Sequence, residues 1–265
     1  MEKKYIDING ITMCYEETGE GKPLILIHGL TGNKGTMAPF PGIIGPGRKY
    51  IAVDVRGHGN SSKPESYKLE DHADDIAALI KALGYEKADI LGYSMGSYIA
   101  LNTGEKYSDL IDHLILLASK PNGKTSSVEK IVTDAGYDMA TLSQEKMFEL
   151  ILAAALTPES LRKMKSGEMQ IDLTALTGVP MTPEEKKAES LSIAGFDLAP
   201  DFGKVTCKTL VISCQYDGIN PPELGKQIAD GIPGAEFVLI PDASHLVPYE
   251  QPELLGKAVN DFLAK

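Results

Sequence analysis

Three cysteines in 265 residues, Cys14, Cys207 and Cys214, are too few and too scattered to staple a chain. Their odd number and the lack of any CxxC spacing argue against a disulfide framework and against a zinc ligand set, and fit a reducing compartment. No stretch approaches the roughly 18 apolar residues of a membrane-spanning helix. Met1-Glu2-Lys3-Lys4 leads straight into Tyr5-Ile6-Asp7-Ile8 with no apolar secretion segment. Positive charge is scarce as well: 26 Lys and Arg against 37 Asp and Glu leave a formal charge of −11. That balance repels nucleic acid, and the densest basic patches, Arg162-Lys163-Met164-Lys165 and Lys186-Lys187, are short. The expectation is a soluble, cytoplasmic protein that handles a small molecule, with no nucleic-acid or membrane partner, no metal and no organic cofactor.

What is present is an ordered alternation of short apolar runs and helical patterns. Lys4–Ile8 and Thr12–Glu16 flank Asn9-Gly10, a strong hairpin turn. Leu24–Ile27, Tyr50–Val53, Ala88–Leu91, Leu114–Leu117, Leu210–Ile212 and Phe237–Ile240 follow as runs apolar on both faces, which a buried parallel sheet requires. Ala73, Ile76, Ala77 and Ile80 fall at helical spacing after Asp71 and before Gly84, and Leu254, Leu255, Ala258, Val259 and Phe262 form a last amphipathic helix opened by Pro252-Glu253. Strand and helix alternating in this way predict an α/β fold, fronted by an antiparallel hairpin. The alternation stops between about Lys120 and Thr206, where only helical patterns such as Met147, Leu150, Ile151 and Ala154 occur. The chain thus divides into a core of residues 1–119 and 207–265 and a helical cap, 120–206, set over the sheet's C-terminal edge.

Chemistry concentrates in Gly92-Tyr93-Ser94-Met95-Gly96, which follows one apolar run and precedes a helical segment. In that context G-x-S-x-G is a nucleophile elbow, whose glycines allow a tight turn that lifts the Ser94 hydroxyl above the sheet edge. A serine hydroxyl needs a base. Of five histidines, His245 lies in the loop between the last strand and the last helix, beside the expected elbow. His72 and His113 sit at a helix start and before a strand, and His28 and His58 belong to turn motifs, so these four read as structural. The acid that orients the base is Asp217, just beyond Leu210–Ile212, with Asp242 as a rival whose side chain can instead cap its own turn. Leu26-Ile27-His28-Gly29-Leu30-Thr31-Gly32 leaves a buried strand as a glycine-bearing loop, so the amides of Leu30 and Met95 are candidates for an oxyanion hole.

Five blocks in order resemble the α/β-hydrolase superfamily: His28-Gly29, Asp54-Val55-Arg56-Gly57-His58-Gly59-Asn60-Ser61, Gly92–Gly96, Asp217, and His245 with Glu250-Gln251-Pro252. The resemblance runs over nearly the whole chain and is greatest to small carboxylesterases and enol-lactonases. It implies an eight-stranded, mostly parallel sheet flanked by helices with an inserted helical cap, and a Ser94–His245–Asp217 triad with Leu30 and Met95 as oxyanion donors. Two departures stand out. The chain has no tryptophan, often found in relatives near the oxyanion loop or in the cap, and Ser97 stands where relatives often carry glycine. A serine rather than an aspartate nucleophile disfavours epoxide-hydrolase and dehalogenase chemistry.

The expected reaction is hydrolysis of a carboxylic ester, lactone or thioester with a small to medium, largely apolar acyl group. Met139, Met147, Phe148, Ile151 and Leu152 of the cap and Leu246 and Val247 beside the base are candidate pocket residues, although such residues at helical spacing more often pack than line a pocket. Hydrolysis of a C–C bond in a diketone uses the same triad, and a non-catalytic small-molecule receptor uses the same fold. A near match to a phosphate loop, Ala118–Thr125, has Ala for the first glycine and Pro121 where a backbone donor is needed, so it reads as the loop that opens the cap.

Overall fold

The computed structural model describes residues 2–171 and 179–265; residues 172–178, inside the expected cap, lie outside the described residues. Eight strands form a single sheet: β1 Lys4–Ile8, β2 Ile11–Thr18, β3 Lys22–Ile27, β4 Arg48–Asp54, β5 Ala88–Tyr93, β6 Ile111–Leu117, β7 Lys208–Cys214 and β8 Glu236–Ile240. Their order is β1-β2-β4-β3-β5-β6-β7-β8. β1 and β2 pair antiparallel through a turn in which Asn9 and Gly10 both take positive φ, 44° and 75°, as a two-residue hairpin demands. β2 meets β4 antiparallel, and every pair from β4 to β8 is parallel. β3, β5, β6 and β7 are buried along almost their whole length, which is why they read as unbroken apolar runs rather than alternating ones.

Helices cover both faces. On one lie α1 (Phe40–Ile44) and the C-terminal helix (Pro252–Leu263), where Phe40, Leu255, Val259 and Phe262 pack on Leu26, Leu91 and Ile212. On the other lie α2 (Leu69–Ala82) and α3 (Met95–Tyr107), where Ile76, Leu79, Ile99 and Leu101 pack on Ile25, Ile90 and Leu114. α2 starts two residues before Asp71, whose carboxylate turns back to accept the Lys68 amide at 2.8 Å and satisfies an orphan donor of the first turn.

Among the described residues, four helices lie between β6 and β7: α4 (Ser127–Asp134), α5 (Gln144–Ala155), α6 (Pro158–Ser166) and α7 (Pro183–Ser192). Each opens on a hydroxyl N-cap, at Ser126, Ser143, Thr157 and Thr182. The segment just before Thr206, the end expected for this insertion, packs with the core. Leu198, Phe202 and Val205 are buried in the core beside α3, because the chain returns as a short 3₁₀ turn (Ala199–Lys204) under the sheet before β7 begins.

One carboxyl in this core is a burden. Glu105 on α3 is 7% exposed, hydrogen-bonds only Asn102, and leaves its other oxygen without a partner among the described residues. Burial pushes its pKa up to about 7, with Asp201 adding to the effect. A raised carboxyl stabilises the fold below its unfolded value of 4.5, and that stability is lost as pH climbs through about 7. Glu105→Gln should therefore raise Tm relative to the parent at pH 8 and leave it nearly unchanged at pH 4. An equal difference at both pH values in thermal melts contradicts the assignment.

Candidate active site

β5 ends at Tyr93, and Ser94 turns the chain at once into α3. Ser94 holds φ 56° and ψ −121°, a conformation costly for any residue with a side chain and kept only where its surroundings enforce it. Three bonds do so here. The Ser94 amide donates to the carbonyl of Leu117 on β6 (3.0 Å), and the Ser94 carbonyl accepts from the amide (2.8 Å) and the hydroxyl (2.5 Å) of Ser97. Ser97, which sequence reasoning left without a role, thus braces the turn. The flanking glycines follow from crowding: a Cβ on Gly92 would strike the carbonyl of Gly96, and one on Gly96 would strike that of Ile27.

The loops after β7 and β8 bring the other two side chains to this turn. His245 Nε2 lies 2.9 Å from Ser94 Oγ, and its Nδ1 lies 2.8 Å from Asp217 Oδ2. An ionised carboxylate only accepts, so the hydrogen sits on Nδ1 and the Nε2 lone pair faces the serine hydroxyl. The other oxygen of Asp217 accepts the amides of Ile219 and Asn220, both at 2.9 Å, which fixes the carboxylate's orientation. Asp217 and His245 are 3% and 6% exposed, whereas Ser94 is half-buried. Asp242, the rival acid, is exposed at a positive-φ turn, and Asp217 already occupies Nδ1 of His245. This chain of hydrogen bonds can draw a proton from a hydroxyl and hold the resulting imidazolium.

Several neighbours were not legible as site residues. Tyr93 lies under the His245 ring and donates its hydroxyl to the His245 carbonyl at 2.7 Å. Asn220 donates to Tyr98 Oη and to the Ala118 carbonyl, both at 2.7 Å, tying the acid loop to the end of β6. Glu250 accepts the amides of Ser244 (2.6 Å) and Thr157 (2.8 Å), linking the base loop to the start of α6. The end of α5 docks on both loops, its Ala154 and Ala155 carbonyls accepting from Gly218 and Leu246 at 3.0 Å each. Only Glu250 carried a signal in the sequence, within Glu250-Gln251-Pro252.

The loop after β3 passes directly beside the serine. A Cβ on Gly29 would lie 3.1 Å from Ser94 Cβ, and the Gly32 amide closes a turn onto the Gly29 carbonyl at 3.1 Å. Leu30 follows at 37% exposure, and Met95 is buried at the start of α3. His28 is structural: burial pushes its pKa down to about 3, and the neutral ring donates from Nδ1 to the Gly29 carbonyl while Nε2 accepts the Val55 amide. The Asp54–Ser61 block is ordered around Asp54, which is fully buried and accepts from Lys34 Nζ (2.9 Å) and from the amides of Lys34 (2.7 Å) and Asn60 (2.8 Å).

The expected pocket residues scatter. Phe148 and Met139 are exposed on the cap, at 45% and 42%, and Met147 and Ile151 are half-buried. Leu246 and half-buried Leu152 join a small apolar cluster with Ala155 and Leu156 where α5 meets the base loop. Val247 does not face the cleft: it is fully buried among Ala243, Leu255 and Val259, because the helical turn after His245 points it into the core. Among the described residues no group of His, Cys, Asp and Glu is arranged to hold a metal ion, and no helix is long and apolar enough to cross a membrane.

Comparison with known proteins places the fold. The chain is similar to 2-(acetamidomethylene)succinate hydrolase of Mesorhizobium japonicum, 27% identical over 97% of this chain and 94% of the relative. Among solved structures it is similar to a thermophilic esterase from Thermogutta terrifontis with malate bound, at TM-score 0.82 and 29% identity over 100% of this chain and 98% of that one. It also superposes on the enol-lactonase of Burkholderia xenovorans at TM-score 0.83 and 24% identity, over 99% and 100% of the two chains, a likeness of fold. The profile of the alpha/beta hydrolase fold family matches residues 22–252, so the chain belongs to that family.

Proposed function

We propose that this family member is a serine hydrolase that cleaves a carboxylic ester, lactone or thioester through an acyl-enzyme on Ser94. The observation that carries the reading is the unbroken chain from Asp217 Oδ2 through both nitrogens of His245 to Ser94 Oγ, at 2.8 and 2.9 Å. In the proposed reaction His245 takes the hydroxyl proton as Ser94 attacks the acyl carbon, and the Asp217 carboxylate steadies the imidazolium. The Leu30 and Met95 amides receive the developing oxyanion. Each such donor is typically worth about a hundred- to a thousand-fold in rate. His245 then protonates the leaving alkoxide and later activates the water that frees the acid.

A small to medium, largely apolar acyl group is the proposed substrate class. It is supported by Leu30 in the loop beside Ser94 and by the apolar cluster of Leu152 with Leu246 and Ile219, where α5 meets the loops that carry Asp217 and His245. The relatives' names, a hydrolase of a substituted succinate and an esterase, bracket the acyl chemistry without fixing it. A reducing, cytoplasmic setting is part of the same proposal and is supported by three free cysteines, two of them buried.

Ser94→Ala should abolish hydrolysis of p-nitrophenyl acetate and butyrate while leaving Tm within a few degrees of the parent. Retained turnover in purified protein overturns the assignment. Asp217→Asn should lower kcat by about a thousand- to ten-thousand-fold by leaving His245 in the wrong tautomer, and Asp242→Asn by less than about threefold; steady-state kinetics showing the reverse ranking moves the acid role to Asp242. A fluorophosphonate should label the folded parent at Ser94. An unlabelled, fully folded protein instead supports a receptor on this fold.

A further inference from the structure

A charged side chain of the helical insertion reaches the loop beside Ser94. Glu189, on α7, is 2% exposed, yet its Oε1 accepts the backbone amide of Thr31 at 2.8 Å and lies 2.5 Å from His58 Nε2. His58 is fully buried, and its Nδ1 faces the carbonyl of Arg56 at 3.0 Å, a group that only accepts. Both ring nitrogens of His58 therefore point at acceptors, and Nε2–H donates to the carboxylate. A buried carboxylate is costly unless it is matched, and here two N–H donors converge on a single oxygen. Beside the pair, the His28 ring packs 5.0 Å away and is neutral, and Arg56 is spent on Asp75 in a two-point bond at 2.7 Å.

The other end of the contact is equally unusual. Thr31 is β-branched and holds φ 58°, a conformation that such a residue adopts only when its surroundings impose it. Its side chain is exposed, so packing does not impose it; the turn closed by the Gly32 amide on the Gly29 carbonyl and the bond from the Thr31 amide to Glu189 together hold it. The preceding peptide carries the Leu30 amide, and Gly29, one residue earlier, is in contact with Ser94.

We infer that Glu189 is a positioning residue for the oxyanion loop: held by His58, it anchors the Thr31 amide and thereby fixes the Leu30 amide beside Ser94. The inference rests on the serine-hydrolase reading. It makes cap and oxyanion loop one mechanical unit, so that a displacement of α7 is felt as lost stabilisation of the transition state before it is felt as lost substrate binding.

The test compares Glu189→Ala, Glu189→Asp and Glu189→Gln, each normalised to the active sites titrated by a fluorophosphonate. The substrate is p-nitrophenyl butyrate, and a trifluoromethyl ketone that forms a tetrahedral oxyanion on serine serves as the probe. Alanine removes the acceptor, and aspartate keeps the charge but withdraws the oxygen by one methylene. Both should lower kcat by about 10- to 100-fold, part of one oxyanion donor's worth, with KM changed less than about threefold and ketone affinity falling in parallel with kcat. Glutamine still offers an oxygen to the Thr31 amide and should recover kcat to within about fivefold of the parent. If alanine fails to fold, aspartate against glutamine decides the matter. Unchanged kcat and ketone affinity in aspartate and alanine, with only Tm reduced, overturns the positioning role and leaves the serine-hydrolase reading intact. A parent that neither reacts with the fluorophosphonate nor turns over overturns that reading instead.

Discussion

Everything in the site is referred to one strained turn. Ser94 cannot relax from φ 56° without breaking its bonds to Leu117 on β6 and to Ser97 on α3, and the space around it admits only glycine at 92 and 96. The strain is held by the most buried part of the molecule, since β5 lies between β3 and β6 and is buried throughout. The hydroxyl's position is therefore set by the sheet. Other parts of the site are brought to it: Gly29 packs on it from β3, and the acid and base loops reach it from β7 and β8.

The loops that do the reaching have no such rigidity of their own, and they are held by polar ties. Asn220 fastens the acid loop to the end of β6, Glu250 fastens the base loop to α6, and Glu189 fastens the oxyanion loop to α7. Two of these three ties run into the cap. The end of α5 thus rests against the loops that carry Asp217 and His245, and α7 rests against the loop after β3. In the proposed reading the helical insertion is part of the frame that holds the site.

The sequence made the sheet legible because its strands are short, apolar on both faces and separated by turn or helix signals, and all eight appeared at nearly their true positions. Ser94, Asp217 and His245 were readable as candidates for a local reason: each stands in a turn or loop that follows an apolar run, at the edge where such sheets keep their ligands. What escaped notice was set by distance along the chain. Glu189 meets Thr31 and His58 across more than 130 residues, and no local pattern marks a glutamate in an amphipathic helix as buried. Val247 misled because an apolar residue beside a reactive histidine looks like pocket lining, whereas the helical turn after His245 rotates it into the core. The 3₁₀ turn before β7, with Leu198 and Val205 at its two ends, has neither strand nor helix periodicity and so left no mark in the sequence.

The central claim is that Ser94 becomes covalently acylated during turnover. The most direct measurement is rapid acid quench of the protein mixed with excess p-nitrophenyl ester, followed by intact mass and peptide mapping. The account predicts a transient adduct of the acyl mass confined to the peptide carrying Ser94, forming no more slowly than p-nitrophenol release. Turnover with no adduct at any quench time, or an adduct on another residue, would contradict it.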